Sequence, residues 1–429
     1  MPSVPLTDPR IHWSSRWLLQ PDLQKAVAHW AGATLRFYAR GTQVYIGTGD
    51  SERLDEYNGG IPMTMTRITD PQTGSHIEKY CEFLQPTAII PAVETEDLEQ
   101  LGKDTVLCVE LVLSDWASRL EIVSIVVDDV DGLLPLDVCL PTETQPGVNA
   151  LFIGDSITCG FVDHSDALLA EGAAENGEIG EETHTASLMP RGCWDAYPYV
   201  TESLMRSVYG VEHFETEISA YPGATLVDPP KDDDDDDDDD DEEDEEEIPF
   251  ITCALSKKFF HASPLPHHEE RTRLERCAPH IIIIALGTND EDVQMKPEHF
   301  DATLREFVVN LAGEFRDTLA HVVVLRPFPF FRTDEPDDWL MLASRDLSGV
   351  VADLEKTLQE DLAVTVRFHV WEITDKNYDE SHTIDGTHPR VQGHKVLGEN
   401  LAERLDGVLG KNCAPDCRLC SQLRSKDEA

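Results

Sequence analysis

The sequence predicts two units in tandem, an all-β sandwich followed by an α/β domain built on a parallel sheet. Three observations carry this expectation. Between about residues 35 and 140, the runs ATLRFYARGTQVYIGTG, VLCVELVLSD and LEIVSIVVDDVDG are rich in β-branched residues and separated by Gly, Asp, Ser and Pro, a pattern of short strands rather than helices. The connector LPTETQPGVNA, residues 140–150, holds two prolines and a glycine and marks the boundary. Beyond it, single apolar runs alternate with longer helical patterns, as in a parallel sheet covered by helices on both faces. The expected division is a sandwich over 1–145, the α/β domain over 146–412 and a tail over 413–429.

Within the second unit, strands are expected at 150–153, 214–219, 281–286, 322–325 and 366–371. Between them lie segments such as EHFDATLREFVVNLAGEFRDTL, where Phe300, Leu304, Phe307, Val308 and Leu311 recur at helical spacing. Two stretches interrupt the plan. Residues 163–192 are acidic with no sustained apolar face, and form an expected long loop near the mouth of the site. The insertion 229–248 contains DDDDDDDDDDEEDEEE, residues 232–247, which has nothing to bury and repels itself, so it is expected to be a disordered, solvated segment. Loose binding of divalent cations or of a basic partner is the alternative for it.

Charge constrains the partners. The formal net charge is −49, and removing the sixteen acids of the block still leaves −33. Such a surface repels nucleic-acid phosphates and anionic headgroups, so neither nucleic acid nor membrane is an expected partner, whereas neutral sugars and esters are allowed. The opening MPSVPLTDPRIHWSSRW has no basic start followed by an apolar core, and no apolar run approaches membrane-spanning length. A reducing, cytoplasmic compartment is the default, with unconventional secretion as the alternative. Cys413, Cys417 and Cys420 in CAPDCRLC lack a paired CxxC and are expected to be free thiols rather than metal ligands.

The chemistry-bearing residues follow the strands. After the first comes Gly154-Asp155-Ser156, after the second AYPGATL with Gly223, after the third Gly287-Thr288-Asn289-Asp290, and after the last IDGTHPR with Asp385 and His388. Each segment alone also suits an ordinary turn or helix cap. A parallel sheet would gather all four along one edge, where such folds bind their ligands. A serine hydroxyl becomes a nucleophile when an imidazole takes its proton and a carboxylate orients that imidazole. Ser156, His388 and Asp385 fit these roles. The backbone N–H groups of Ser156 and Gly223 and the side-chain amide of Asn289 are the expected oxyanion donors. Asp155 is expected to brace the turn that presents Ser156, and Asp290 to cap or orient the loop of Asn289. Trp371, ending the last strand, is a candidate sugar platform, with core packing the equal alternative. Trp194 is expected in the helix after the serine block. His382 and His394 are assigned to surface or packing roles, without a carboxylate at the Asp385–His388 spacing.

These residues resemble the SGNH, or GDSL-type, hydrolases, a family named for four residues in separate blocks. All four are present in the family's order: Ser156 in GDSIT, Gly223 in PGATL, Asn289 in GTND and His388 in DGTH, with Asp385 three residues before it. Position 158 is Thr, so the serine block does not resemble the GxSxG elbow of α/β-hydrolases. The resemblance implies a flavodoxin-like three-layer α/β/α domain and ester hydrolysis through an acyl-serine, without metal or cofactor. With the preceding sandwich, HWAGATLRFYARGTQVYIG near its start and CWDAYPYVTESL after the serine block, the chain is similar to carbohydrate esterase family 2, which implies an N-terminal jelly roll and removal of acetyl groups from plant polysaccharides. The expected substrate is therefore an acetylated or otherwise acylated carbohydrate. The alternatives are an esterase or lipase on small or lipid acyl esters and a carbohydrate-binding protein without turnover.

Overall fold

The computed structural model describes residues 1–53, 63–82, 88–116, 118–136, 147–161, 189, 191–211, 213–228, 253–264, 270–274, 277–331, 342, 345–362, 365–409 and 419. The acidic block, nearly all of the 163–192 loop, the connector over 137–146 and the cysteines at 413, 417 and 420 lie outside them.

Five parallel strands form the sheet of the second unit, in the order Phe214–Ala220, Val148–Gly154, Ile281–Ala285, His321–Leu325, Arg367–Trp371. The central runs are apolar but for His321 because both of their faces are covered: Ile281–Ala285 and His321–Leu325 are buried at every position. The chain steps from the first strand to one side and then reverses to the other. Right-handed crossovers therefore send the early and late connecting helices to opposite faces. Accordingly Tyr197–Ser207 packs with the C-terminal helix Val391–Leu409, while Pro297–Glu314 packs with Ser348–Thr357. The face that Pro297–Glu314 turns inward carries Phe300, Leu304, Phe307, Val308 and Leu311, all buried. Full burial of one such side chain contributes about 1.5–3 kcal/mol.

The N-terminal unit is two antiparallel sheets. One runs Ile89–Val93, Val44–Thr48, Ser118–Val127, Lys25–Ala28, Trp17–Gln20; the other runs Leu133–Leu134, Thr34–Ala39, Leu107–Leu113, Met63–Thr69, His76–Glu82. Inward residues of both, among them Ile46, Ile125, Leu35, Phe37 and Val109, make one core. Strand alternation sets this up, as in Val44–Thr48, where buried and half-buried positions alternate. The sandwich was expected to be all β, but Thr95–Leu101, which lies between the named β-branched runs, is a helix. It is held at its start by the Asp97 carboxylate, which accepts from the Glu94 N–H at 2.8 Å.

Buried and half-buried charges join the two units. Arg36 and Arg67 share Glu110 within the sandwich, at 2.7 Å each, then reach across to Glu215 at 2.7 Å and Glu202 at 2.6 Å. Glu202 also faces Arg206 at 3.3 Å, so three arginines balance three glutamates.

Candidate active site

Strand register fixes the site. Gly154 pairs with Ala220 on one side and Ala285 on the other, so the segments that follow all three leave the sheet at one level. Ser156, Gly223 and Asn289 lie within two to four residues of that level. The order reversal of the sheet falls here, between the first strand and its two neighbours, where the strand exits splay and open a crevice.

Asp155 caps the short helix Ser156–Cys159, its carboxylate accepting from the Ile157 N–H at 3.1 Å. Gly154 permits the sharp exit: a Cβ there would lie 2.0 Å from the Thr158 hydroxyl, which meets the Tyr197 hydroxyl at 3.0 Å. Asp155 is fully buried and its second oxygen has no hydrogen-bond partner among the described residues. Burial pushes its carboxyl up to about 7.

His388 comes from the opposite end of the chain, on a turn closed by a bridge between Thr383 and Pro389. The Asp385 carboxylate accepts from the N–H groups of Thr387 at 2.9 Å and of His388 at 2.7 Å, which shapes that turn before any chemistry is considered. Its other oxygen lies 2.6 Å from His388 Nδ1, and His388 Nε2 lies 3.0 Å from Ser156 Oγ. Burial pushes the Asp385 carboxyl up, but the hydrogen bond and charge of His388, with the two backbone donors, hold it well below the usual carboxylate range. An imidazole spanning a hydroxyl and an ionised carboxylate can take the hydroxyl proton and return it to a leaving group.

Gly223 sits in the turn after Phe214–Ala220 with φ of 72°, which disfavours any side chain. The Asn289 amide donates to the Ala224 carbonyl at 2.9 Å, tying the short helix Thr288–Asp292, rather than the expected loop, to that turn while its second N–H is left for another acceptor. Asp290 strengthens the same tie by accepting from the N–H groups of Leu226 and Val227. Trp371 ends the edge strand, three strand spacings or about 14 Å from the strand bearing Ser156. It is half-buried against the core of the second unit, its ring 5.1 Å from that of His369. Trp194 lies in a 3-10 turn, Gly192–Asp195, just before the expected helix, because Pro198 starts Tyr197–Ser207.

Two features escaped the sequence reading. His382 does follow a carboxylate at the same spacing: its Nδ1 lies 3.0 Å from Asp379. That correction was available from DESH itself. Phe161, whose ring lies 4.8 Å from that of His388, carries no sequence signal. His394 is fully buried, its Nδ1 accepting from the Tyr197 N–H at 3.2 Å, and burial lowers its imidazole to about 3, so it packs as a neutral ring. Among the described residues no group of three or more His, Cys, Asp or Glu is arranged to hold a metal ion. No helix among them is long and apolar enough to cross a membrane.

The model of the GDSL-like lipase/acylhydrolase family matches residues 151–401, well over half of the chain. The chain belongs to that family. It is a carboxylic ester hydrolase, and the strand exits just described fall within the matched residues. Its fold matches solved structures along nearly its whole length. A family two carbohydrate esterase from Cellvibrio japonicus superposes with a TM-score of 0.59 at 13% identity, covering 95% of this hydrolase and 97% of that chain. A family two carbohydrate esterase from Clostridium thermocellum, solved in complex with cellohexaose, gives 0.55 at 16% identity over 93% and 99%. A salicylyl-acyltransferase from a tetracycline biosynthetic pathway gives 0.52 at 12% over 96% and 99%. Among curated proteins none matches.

Proposed function

We propose that the protein is a serine esterase that removes acyl groups, acetyl foremost, from carbohydrates. The observation that carries the reading is the chain of contacts from Ser156 Oγ through His388 to Asp385, at 3.0 and 2.6 Å. In this mechanism His388 takes the hydroxyl proton as Ser156 attacks the ester carbonyl. Asp385 holds the imidazole's tautomer and offsets its charge. The N–H groups of Ser156 and Gly223 and the free N–H of the Asn289 amide receive the oxyanion. His388 then protonates the departing sugar hydroxyl, and water, activated by the same imidazole, releases the acid from the acyl-serine.

The carbohydrate assignment is supported by full-length likeness, sandwich included, to family two carbohydrate esterases. We assign the sandwich to 1–145 and the hydrolase to 146–412, and Trp371 to contact with the sugar. The test is acetate release from acetylated mono-, oligo- and polysaccharides, with a p-nitrophenyl ester series of rising chain length. Release from sugars with preference for acetyl is expected, and Ser156→Ala should abolish it while leaving the fold intact. Preference for long acyl chains would overturn the sugar reading in favour of lipid esters. Failure of a fluorophosphonate to label Ser156 would overturn the serine mechanism.

A further inference from the structure

We infer that the N-terminal sandwich supplies a positioning residue to the hydrolytic site: Trp116, acting through Phe161, holds the ring of His388 toward Ser156. This rests on the Ser156–His388 mechanism proposed above.

Phe161 belongs to the nucleophile's own turn, its N–H donating to the Ser156 carbonyl at 2.9 Å. Its ring lies 4.8 Å from that of His388 with the planes at 52°, and Trp116 lies 4.9 Å beyond it at 54°. Trp116 stands between the sandwich strands Leu107–Leu113 and Ser118–Val127, yet it is buried in the hydrolase core rather than in the sandwich core. The segment that carries it is seated firmly. The Ser114 carbonyl accepts from the Cys193 N–H at 2.9 Å, and a Cβ on Gly192 would come within 2.2 Å of that same carbonyl oxygen.

A histidine at the rim needs such a wall. The side chains of His388 and Asp385 are 21% and 35% exposed, so water and empty space border the pair. The bond to Asp385 fixes one edge of the imidazole, while the contact of its other nitrogen with Ser156 Oγ is remade at every proton transfer and leaves the ring room to pivot. An aromatic ring packed beside it restricts that pivot, and the second ring keeps the first from yielding. Misplacing a reacting group by about 1 Å can cost about 10²-fold in rate, so partial loss of the wall should be visible in turnover.

The test uses the full chain with Phe161→Ala, Phe161→Tyr and Trp116→Phe, assayed with p-nitrophenyl acetate well below each variant's melting temperature. Phe161→Ala is expected to lower kcat about tenfold with KM within about twofold, and to slow fluorophosphonate labelling in parallel. Phe161→Tyr should restore most of the rate, and Trp116→Phe should lower kcat about threefold with KM unchanged. Trp116→Tyr takes its place if that variant does not fold. The inference is overturned if Phe161→Ala keeps kcat within about twofold or raises KM alone, or if the Trp116 variant loses thermal stability but no turnover. Activity retained by Ser156→Ala would instead sink the mechanism on which it rests, so the two failures are distinguishable.

Discussion

Two Asp–His pairs lie six residues apart and differ in what stands beyond the imidazole. Asp379–His382 and Asp385–His388 share the same spacing, and their histidine side chains are similarly exposed, 19% and 21%. In both, the carboxylate accepts from a nearby backbone N–H, Ser381 for Asp379 and His388 for Asp385. The first pair ends there: His382 stacks on Tyr378 with the rings 5.6 Å apart. The second meets a hydroxyl 232 residues distant in the chain. An aspartate three residues before a histidine is thus a local turn device, and what sets the second pair apart is the hydroxyl that the sheet delivers to its other imidazole nitrogen.

The comparison breaks most directly by removing each imidazole. His388→Ala is expected to lower kcat for p-nitrophenyl acetate by about 10³-fold or more, whereas His382→Ala should stay within about threefold. Comparable losses in both would mean that the second pair also takes part. The carboxylates come next. Asp385→Asn should cost at least about 10²-fold in kcat, since it releases the tautomer but keeps the turn, and Asp379→Asn should remain within about twofold in the same assay.

Proton linkage sharpens the contrast. The Asp385 carboxyl, held low, contributes stability that is present above its unfolded value near 4 and is lost as pH falls through its folded value. Asp155, beside Ser156, has the opposite sign: burial raises it to about 7, so the folded chain keeps a proton that the unfolded chain releases. Its contribution makes stability fall as pH rises from about 4 to about 7, by at most about 1.4 kcal/mol per pH unit. Denaturant titrations of Asp155→Asn and the parent across that window should differ in slope, and parallel lines would refute this. The smallest effect is expected at the edge of the sheet. Trp371→Ala should raise KM for an acetylated oligosaccharide a few-fold while leaving turnover of p-nitrophenyl acetate within about twofold. An unchanged KM with a lowered melting temperature would assign the ring to packing alone.

The sheet was legible because parallel strands buried on both faces leave uninterrupted runs such as IIII at 281–284, and the five expected strands lie within two residues of the observed ones at each end. The strands before residue 35, such as Ile11–Trp13 and Trp17–Gln20, were not anticipated, being too short to show alternation. The four blocks of the candidate site were legible because each sits at a strand exit or in the loop beyond it, where turn chemistry restricts the residue types. What escaped was contact between segments with no common pattern. Nothing in Trp116 or Phe161 marks the one as facing the other, since apolar rings are equally at home in any core. The capping role of Asp379 escaped for a different reason, as its spacing was visible but was passed over.

The charged seam of Arg36, Arg67, Arg206, Glu110, Glu202 and Glu215 has a bearing on modularity. Neutrality there is reached only by counting residues from both halves of the polypeptide. A hydrolase half severed at the connector would keep Glu202 and Glu215 with Arg206 alone, and a severed sandwich would keep two arginines around Glu110. Cut apart, each half returns these ions to water, but covering them with a surface that lacks the matching charges strands them, which is strongly destabilising. Grafting either half onto a foreign partner therefore requires carrying the matching charges along with it.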